Sequence, residues 1–148
     1  MNCINKAIGG EEFYPPMAQA EAGSDPDYIV VSYGTNDWSH STRDRLVQRC
    51  TEFYAILSGK YPNARIFALT PIWREDWQLK KEVGPFHDVE IIIRDAVKDL
   101  PNVTVIRGFD HVPKDISYFA DLRLHPNDAG FDHYFNNLLT QVKQTQNG

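Results

Sequence analysis

The sequence has few cysteines, little basic charge and no long apolar run, and each shortage excludes a class of protein. Its two cysteines, Cys3 and Cys50, cannot build a disulfide framework and lack the spacing of a metal site. A formal net charge of -5 argues against nucleic acid or an anionic membrane as a partner, because those surfaces attract clustered Lys and Arg. No apolar stretch approaches the ~18 residues that a membrane span needs.

The first residues also lack the features of a secretory signal. The stretch MNCINKAIGGEEF at 1–13 contains no apolar core of signal-peptide length. Because both thiols are expected to stay reduced, the sequence predicts a cytoplasmic protein. With 148 residues, of which 42% are hydrophobic, we expect a single domain over residues 1–148 with one core.

Three apolar runs and the helical patterns between them indicate the fold. The runs YIVVSYG, ARIFALTP and NVTVIRG, at 28–34, 64–71 and 102–108, are nearly continuous, which predicts strands covered on both faces. Helical periodicity marks 43–58 and 85–100, and a further helix closes the chain. This β-α-β-α-β-α order predicts an α/β fold with a parallel sheet and helices on both faces.

The amino-terminal part follows a less regular pattern. NCINKAIGG at 2–10 predicts a short strand that ends in a Gly-Gly turn, and 11–22 predicts a helix interrupted by Pro15 and Pro16. The chain thus begins inside a β-α-β alternation. We therefore expect an upstream element to be missing.

The last helix begins after the stretch DLRLHPN. Asn127 and Asp128 are good N-caps, and a helical stripe of apolar residues follows at Phe131, Tyr134, Phe135, Leu138 and Leu139. This pattern does not account for His125, which Pro126 holds in an extended conformation just before the cap. His125 is therefore a candidate for chemistry rather than for helix formation.

Three motifs follow predicted strands: AIGG at 7–10, GTND at 34–37 and TPIW at 70–73. Open α/β sheets bind ligands at the carboxyl ends of their strands, and this topology can bring His125 to the same edge. Taken singly, each motif has an ordinary structural explanation, such as a turn or a loop that satisfies its own backbone. Their order and spacing together point to a site.

The combination of these motifs resembles a known family. VVSYGTNDW is preceded by NKAIGGE and followed about ninety residues later by LHPNDAGF. This arrangement, over about residues 2 to 140, resembles the SGNH hydrolases, also called GDSL-type esterases and lipases. The resemblance implies a flavodoxin-like three-layer α/β/α sandwich. It also implies hydrolysis of esters, thioesters and acetylated sugars without a metal or another cofactor.

The resemblance implies roles for individual residues. His125 matches the general base, while Asn36 and Gly10 match the side chain and the backbone N–H of the oxyanion hole. Asp121 is the candidate acid that orients the base. The family's acid usually lies three residues before the histidine, where this chain has Leu122. Either a locally altered loop lets Asp121 orient His125, or the backbone orients the ring instead.

One element of the family is absent from the sequence. The family nucleophile is a Ser in a G-D-S motif, and the 148 residues contain no such motif. Ser32 lies inside a predicted strand and is not part of a G-x-S-x-G elbow. We therefore expect the nucleophile and its strand to be missing from this chain. Asp37 is expected to brace its own loop.

These observations lead to the hypothesis of an SGNH-type hydrolase that acts on a small-molecule ester, with no nucleic-acid or membrane partner. Trp38 and Trp73 are expected to line an open groove for a sugar ring or a short acyl chain. A homodimer is also expected, because a missing neighbour would leave the uncharged strand at 28–34 as a free edge.

Two alternatives stay open. The first is a catalytically inactive binding or structural module of the same fold, which the absent serine supports. The second is a flavodoxin-like nucleotide or phosphate binder. For the second, AIGGEEF offers only a weak phosphate loop, because two carboxylates follow its glycines.

Overall fold

A three-stranded parallel sheet lies at the centre of the fold in a computed structural model, which describes residues 3–21, 23 and 25–146. The strands are β1 (Tyr28–Val31), β2 (Arg65–Leu69) and, after two short strands, β5 (Val103–Ile106), in the spatial order β1-β2-β5. A small antiparallel ribbon joins β3 (Lys80–Lys81) to β4 (Gly84–Pro85). The predicted parallel sheet is confirmed.

The helices lie on both faces of this sheet, as predicted. The described part of the chain contains α1 (Pro15–Gln19), α2 (Thr35–His40), α3 (Arg43–Lys60), α4 (Asp88–Val97) and α5 (Asp128–Gln146). Helices α1, α3 and α4 pack together on one face, and α5 packs on the other. None of the helices in these described ranges is both long enough and apolar enough to cross a membrane.

The two faces of β2 divide the core, because successive strand residues point in opposite directions. Ile66 and Ala68 belong to the larger core under α3 and α4, in which the aromatic rings of Phe13, Phe53 and Tyr54 pack edge to face. Phe67 and Leu69 face α5 with Ile106. The strand is therefore buried on both sides, as its continuous apolar pattern predicts.

β1 differs from that prediction, because one of its faces is uncovered. Ile29 and Val31 point into the larger core, but Tyr28 and Val30 are 51% and 58% exposed. The cause is the position of α5, which packs on β2 and β5 rather than on β1. The expectation that all three strands are covered on both faces is therefore wrong for β1.

The apolar stripe of α5 is wider than its contact with the sheet. Tyr134, Leu138 and Val142 pack on β2 and β5, whereas a second row is exposed: Phe131, Phe135 and Leu139. The cap is as predicted, since the Asn127 side chain accepts the N–H of Gly130 at 3.0 Å. The exposed row and the open face of β1 are both apolar surfaces without cover in the described structure.

The amino-terminal segment is not built as the sequence predicts. Residues 3–8 form no strand, and the chain turns at Gly9 and Gly10, while Asn2 lies outside the described residues. The two prolines begin α1 instead of interrupting a longer helix. Proline is favourable there because the first helical N–H groups have no partner to lose. Residue 22, the end of the predicted helix, also lies outside the described residues.

His111 is the single buried histidine among the five, with 0% of its surface exposed. Its ring lies 5.3 Å from the ring of Tyr134, under α5. Among the described residues, neither ring nitrogen meets a partner with hydrogen-bonding geometry. Burial lowers the pKa of His111, although Gln141 and Asp110 nearby act in the opposite direction.

This burial predicts a loss of stability in mild acid. Because the pKa of His111 is lower in the folded than in the unfolded chain, its contribution is full above about pH 6.5 and is lost as the pH falls toward the folded pKa. In the variant His111→Phe, the unfolding free energy should lose this pH-dependent contribution, whose slope is at most about 1.4 kcal/mol per pH unit. Urea unfolding of both proteins between pH 8 and pH 5 measures it. A constant difference in unfolding free energy across that range would contradict the prediction.

Candidate active site

His125 and Asp121 form a hydrogen-bonded pair immediately before α5. The Nδ1 atom of His125 lies 2.6 Å from Oδ2 of Asp121. The side chains are 74% and 37% exposed, so the opposite ring nitrogen is open to solvent or to a substrate. A carboxylate on Nδ1 holds the ring in the tautomer that leaves Nε2 free to accept a proton.

The loop between these residues explains how a spacing of four still forms the pair. Leu122 adopts a φ of 54° and is 61% exposed, so the additional residue bulges outward. This left-handed conformation costs a residue with a side chain roughly 1–2 kcal/mol. Oδ1 of Asp121 offsets that cost by accepting three backbone N–H groups, from Arg123, Leu124 and His125, at 2.9–3.0 Å.

These contacts also keep Asp121 ionised. Partial burial raises the pKa of Asp121, but the N–H groups of Leu124 and His125, the His125 ring and the N–H of Arg123 together hold it well below its ordinary value. Hydrogen bonds to a carboxylate favour the charged form. Asp121 is therefore an anion throughout the neutral range.

Asn36 lies on the first turn of α2, where the chain leaves β1. Its Nδ2 donates to the carbonyl oxygen of Glu11 at 3.1 Å, which places the carboxamide beside the turn that contains Gly10. Gly10 has a φ of 79°, a conformation that favours glycine, and an added Cβ would meet no atom within 4 Å. The structure thus places the Asn36 side chain next to the residue that follows Gly10, and a side chain on Gly10 would meet open space.

Asp37 braces this arrangement, as expected. Its two carboxylate oxygens accept the backbone N–H groups of Phe13 and Gly34 at 3.0 and 3.1 Å, so one side chain ties the Gly10 segment to the start of α2. Gly34 needs its φ of 112° to make this corner, and a Cβ there would lie 2.7 Å from Val89. Burial raises the pKa of Asp37 to about 6, against the effect of the Phe13 N–H.

Arg74 is a buried cation that the sequence patterns did not predict, with 2% of its surface exposed. Its Nε and Nη2 donate to Asp76 at 2.5 and 3.1 Å. Nη1 donates to the carbonyl oxygen of Thr35 and to the hydroxyl of Ser39 on α2, at 3.1 and 3.0 Å. The guanidinium also lies 4.9 Å from the ring centroid of Trp38.

Asp76 extends this network to the loop of the histidine. Its Oδ2 accepts from Nη2 of Arg123 at 2.8 Å, and the carbonyl oxygen of Arg123 accepts from the N–H of Glu75 at 2.9 Å. Burial raises the pKa of Asp76, but hydrogen bonds from Arg74 and Arg123 lower it to about 2. The chain Arg74–Asp76–Arg123 therefore joins the loop of His125 to the helix of Asn36.

The two predicted groove residues lie elsewhere. Trp38 is 0% exposed, with its indole N–H bonded to the carbonyl oxygen of Gly84, and Trp73 is 7% exposed against Phe119. Protein atoms cover both rings, which contradicts the groove-lining role predicted for them. A large aromatic residue that follows a strand can lie either in the core or at the rim of a site. Here both tryptophans lie in the core.

A comparison with models of protein families assigns the chain to a family. The model of the GDSL-like lipase/acylhydrolase family matches residues 2–133. The chain belongs to this family. The match includes the Gly10 turn, the GTND motif and His125, and it favours an esterase interpretation over a phosphate binder. A search of curated proteins finds no significant match.

Three solved structures of similar fold come from longer proteins. A GDSL-like lipase from Bacteroides ovatus superposes with a TM-score of 0.74 at 20% identity, over 91% of this chain and 41% of its own. A family two carbohydrate esterase from Clostridium thermocellum, solved with cellohexaose, gives 0.63 at 20% identity, over 85% and 38%. A family 3 carbohydrate esterase from Talaromyces cellulolyticus gives 0.61 at 18% identity, over 92% and 68%. This chain thus spans about two fifths of the first two.

The network predicts that Arg123→Gln loosens the histidine loop without unfolding the protein. Without the bridge to Asp76, the amides of Leu124 and His125 should exchange with deuterium about three- to tenfold faster, as expected for one lost hydrogen bond. Exchange measured by NMR checks this. Arg43→Gln, which removes the similar surface pair with Asp88, is the matched control. Equal exchange of the two loop amides in both variants would contradict a positioning role.

Proposed function

We propose that this chain supplies the base and the oxyanion hole of an ester hydrolase. The observation that carries the proposal is the 2.6 Å pair of Asp121 and His125, joined through a hydrogen-bond network to the helix that holds Asn36 beside Gly10. An exposed imidazole with an anion on Nδ1 is suited to removing a proton from a nucleophile. Two neutral N–H donors are suited to the oxygen that becomes negative in acyl transfer.

The proposed division of roles follows from the contacts. Nε2 of His125 accepts the proton of the attacking hydroxyl and returns it to the leaving alcohol, while Asp121 stabilises the imidazolium that forms. Asn36 keeps one amide N–H on Glu11, which holds the carboxamide in place, and offers the second to the oxyanion. Asp37 and Arg74 position these groups rather than touch the substrate.

The proposed substrates are carboxylic esters with a short acyl group, including acetylated sugars. Two of the similar structures are carbohydrate esterases by description, and the first is a GDSL-like lipase. In the described residues, no group of three or more His, Cys, Asp or Glu side chains is placed to hold a metal ion.

A catalytically inactive binding module is the second candidate. The 148 residues contain no G-D-S motif, and Ser32, on the exposed side just after β1, lies near Tyr134 on α5 rather than in a nucleophile elbow. A serine that would attack the ester and carry the acyl group is therefore not supplied by any sequence pattern of this chain. The base and the oxyanion hole remain, and they can be tested without it.

We predict weak hydrolysis of p-nitrophenyl acetate that depends on both halves of the site. In well-studied triads, the oxyanion hole and substrate binding alone leave a residual acceleration on the order of 10³–10⁴ over water. His125→Gln should lower the rate further, to the extent that the imidazole acts as a general base for water, a contribution that is typically 10²–10⁴-fold. Asn36→Ala should lower it by about 10²-fold or more.

His133→Gln, at an exposed histidine on α5, is the matched control and should keep the rate. If His125→Gln and Asn36→Ala match this control, the inactive-module interpretation is favoured. Robust turnover that disappears in Ser32→Ala would identify Ser32 as the nucleophile.

We also propose that two copies of the chain pair through β1. In the described structure β1 is bonded to β2 on one side only, so its other side presents unpaired backbone groups. Tyr28 and Val30 on β1 and Phe131 and Phe135 on α5 add exposed apolar surface at the same side of the sheet. A two-fold pairing of β1 with its copy would cover both the edge and this surface.

Val30→Lys should therefore make the protein monomeric, because a lysine on an edge strand opposes pairing. Val47→Lys on α3, where the side chain is 43% exposed, is the matched control and should stay dimeric. Light scattering over a range of concentrations measures both masses. A wild-type protein that is monomeric throughout would exclude this assembly.

A further inference from the structure

The carboxylate of Asp37 lies in the core without a cation beside it. Asp37 is 0% exposed, and its two oxygens accept the backbone N–H groups of Phe13 and Gly34. In the described part of the chain it forms no ion pair. Burial of a carboxylate without an opposite charge favours its neutral form, which is why the pKa of Asp37 is raised to about 6. This carboxyl therefore changes its charge in mild acid.

The titratable and charged groups around this carboxyl come from three elements. They are Glu11 and Glu12 before Phe13, Tyr33 after β1, Cys50 and Tyr54 on α3, and, paired with Glu12, Arg45 and Arg49 on α3. Burial raises the pKa values of Tyr33, Cys50 and Tyr54, so these three groups stay neutral in mild acid. The charge of Glu12 adds to the rise of the pKa of Asp37. Of the fully buried groups named here, Asp37 is thus the one whose charge changes.

Two buried oxygen atoms near this carboxyl have no hydrogen-bond partner among the described residues. They are the hydroxyl of Tyr54 and Oε2 of Glu12. The charge of Asp37 raises the pKa of Tyr54, and the charge of Glu12 raises that of Asp37, so these groups are close enough to interact. A protonated carboxyl is a donor as well as an acceptor. After protonation, Asp37 therefore has acceptors nearby for its new O–H group.

The ionised carboxylate is one of the contacts that join the Gly10 turn to α2. Another is the bond from Nδ2 of Asn36 to the carbonyl oxygen of Glu11, at 3.1 Å. Hydrogen bonds to a charged acceptor are about twice as strong as neutral ones, so protonation of Asp37 weakens the first contact. The ring of Phe13 is 0% exposed in the core and stays there. The turn before it can therefore loosen while the core remains packed.

We propose that Asp37 makes the oxyanion half of the site sensitive to pH. In its ionised form it holds the Gly10 segment against the helix of Asn36. Protonation in mild acid releases one of the two backbone N–H groups and loosens the turn, so that the proposed donors lose their fixed positions. The inference concerns the regulation of the proposed function and rests on it.

The proposed change is local, because protonation of Asp37 favours the folded chain. The pKa of Asp37 is higher in the folded than in the unfolded chain, so the folded chain binds this proton more tightly. The contribution of Asp37 to the free energy of unfolding is therefore full below about pH 3.8 and is lost as the pH rises through about 6. This sign is opposite to that of His111. At neutral pH the charge of Asp37 thus lowers stability while it orders the site.

An NMR titration of the unmodified protein tests the proposal. The amide protons of Phe13 and Gly34 should shift together, with one midpoint near pH 6. The protection factor of the Glu11 amide, whose bond at 3.3 Å closes the turn, should fall about three- to tenfold between pH 8 and pH 5. The Ser117 amide is the internal control. It donates to Asp115, whose pKa that N–H lowers, so its signal should not shift in this range.

Two variants test the electrostatic cause. Glu12→Gln should move the common midpoint to lower pH, because it removes a charge that raises the pKa of Asp37. Glu52→Gln, at an exposed residue of α3, is the matched control and should leave the midpoint in place. The proposal is overturned by separate midpoints for the two amides, by a midpoint near the ordinary value of about 4 for an aspartate, by constant protection of Glu11, or by equal midpoints in both variants.

A ratio of rates connects the titration to the site. The rate of p-nitrophenyl acetate hydrolysis by the wild type, divided by that of Asn36→Ala, isolates the oxyanion contribution, because the ionisation of His125 is common to both proteins. This ratio should fall about three- to tenfold from pH 8 to pH 5. A constant ratio with normal hydrolysis removes only the pH switch. Joint titration of Phe13 and Gly34 without any hydrolysis removes only the hydrolase.

Discussion

The buried guanidinium of Arg74 is the constraint on which the arrangement of the site depends. A charge with 2% exposure is tolerated only where its N–H groups are paired, and here Asp76, Thr35 and Ser39 provide the partners. Thr35 and Ser39 belong to α2, and Asp76 leads to the histidine loop through Arg123. Because an unpaired buried charge is very costly, the position of Arg74 ties α2 and the loop after β2 together and, through Asp76, the histidine loop.

Two carboxylates organise the backbone near Arg74 by accepting backbone N–H groups. One of them lies in an exposed loop and the other in the core. Asp121 gathers three N–H groups in an exposed loop, and its pKa is held below the ordinary range. Asp37 joins two distant segments inside the core, and burial raises its pKa to about 6. Asp121 holds the ring of His125 at the surface, whereas Asp37 ties the Gly10 segment to the start of α2 inside the core.

The uncovered side of the sheet shows how a local pattern can mislead. β1 and α5 each carry more apolar residues than they bury against their neighbours, so rows of these residues stay exposed. Large contiguous apolar patches on protein surfaces are typical of interaction sites. The apolar pattern of a strand or helix shows which of its residues can be buried. It does not show whether the fold provides a neighbouring element that covers them.

The sequence by itself determined the order of strands and helices, the parallel sheet, the cap at Asn127 and the candidates Asn36, Gly10, Asp121 and His125, because these depend on periodicity and short motifs. Tertiary structure decided the rest. The burial of Trp38 and Trp73, the absence of a strand at 3–8 and the partners of Arg74 depend on neighbours distant in sequence. The charged stretch REDW after β2 was a visible signal, but a buried guanidinium becomes predictable only when its acceptors are in place, and only the folded chain assembles them.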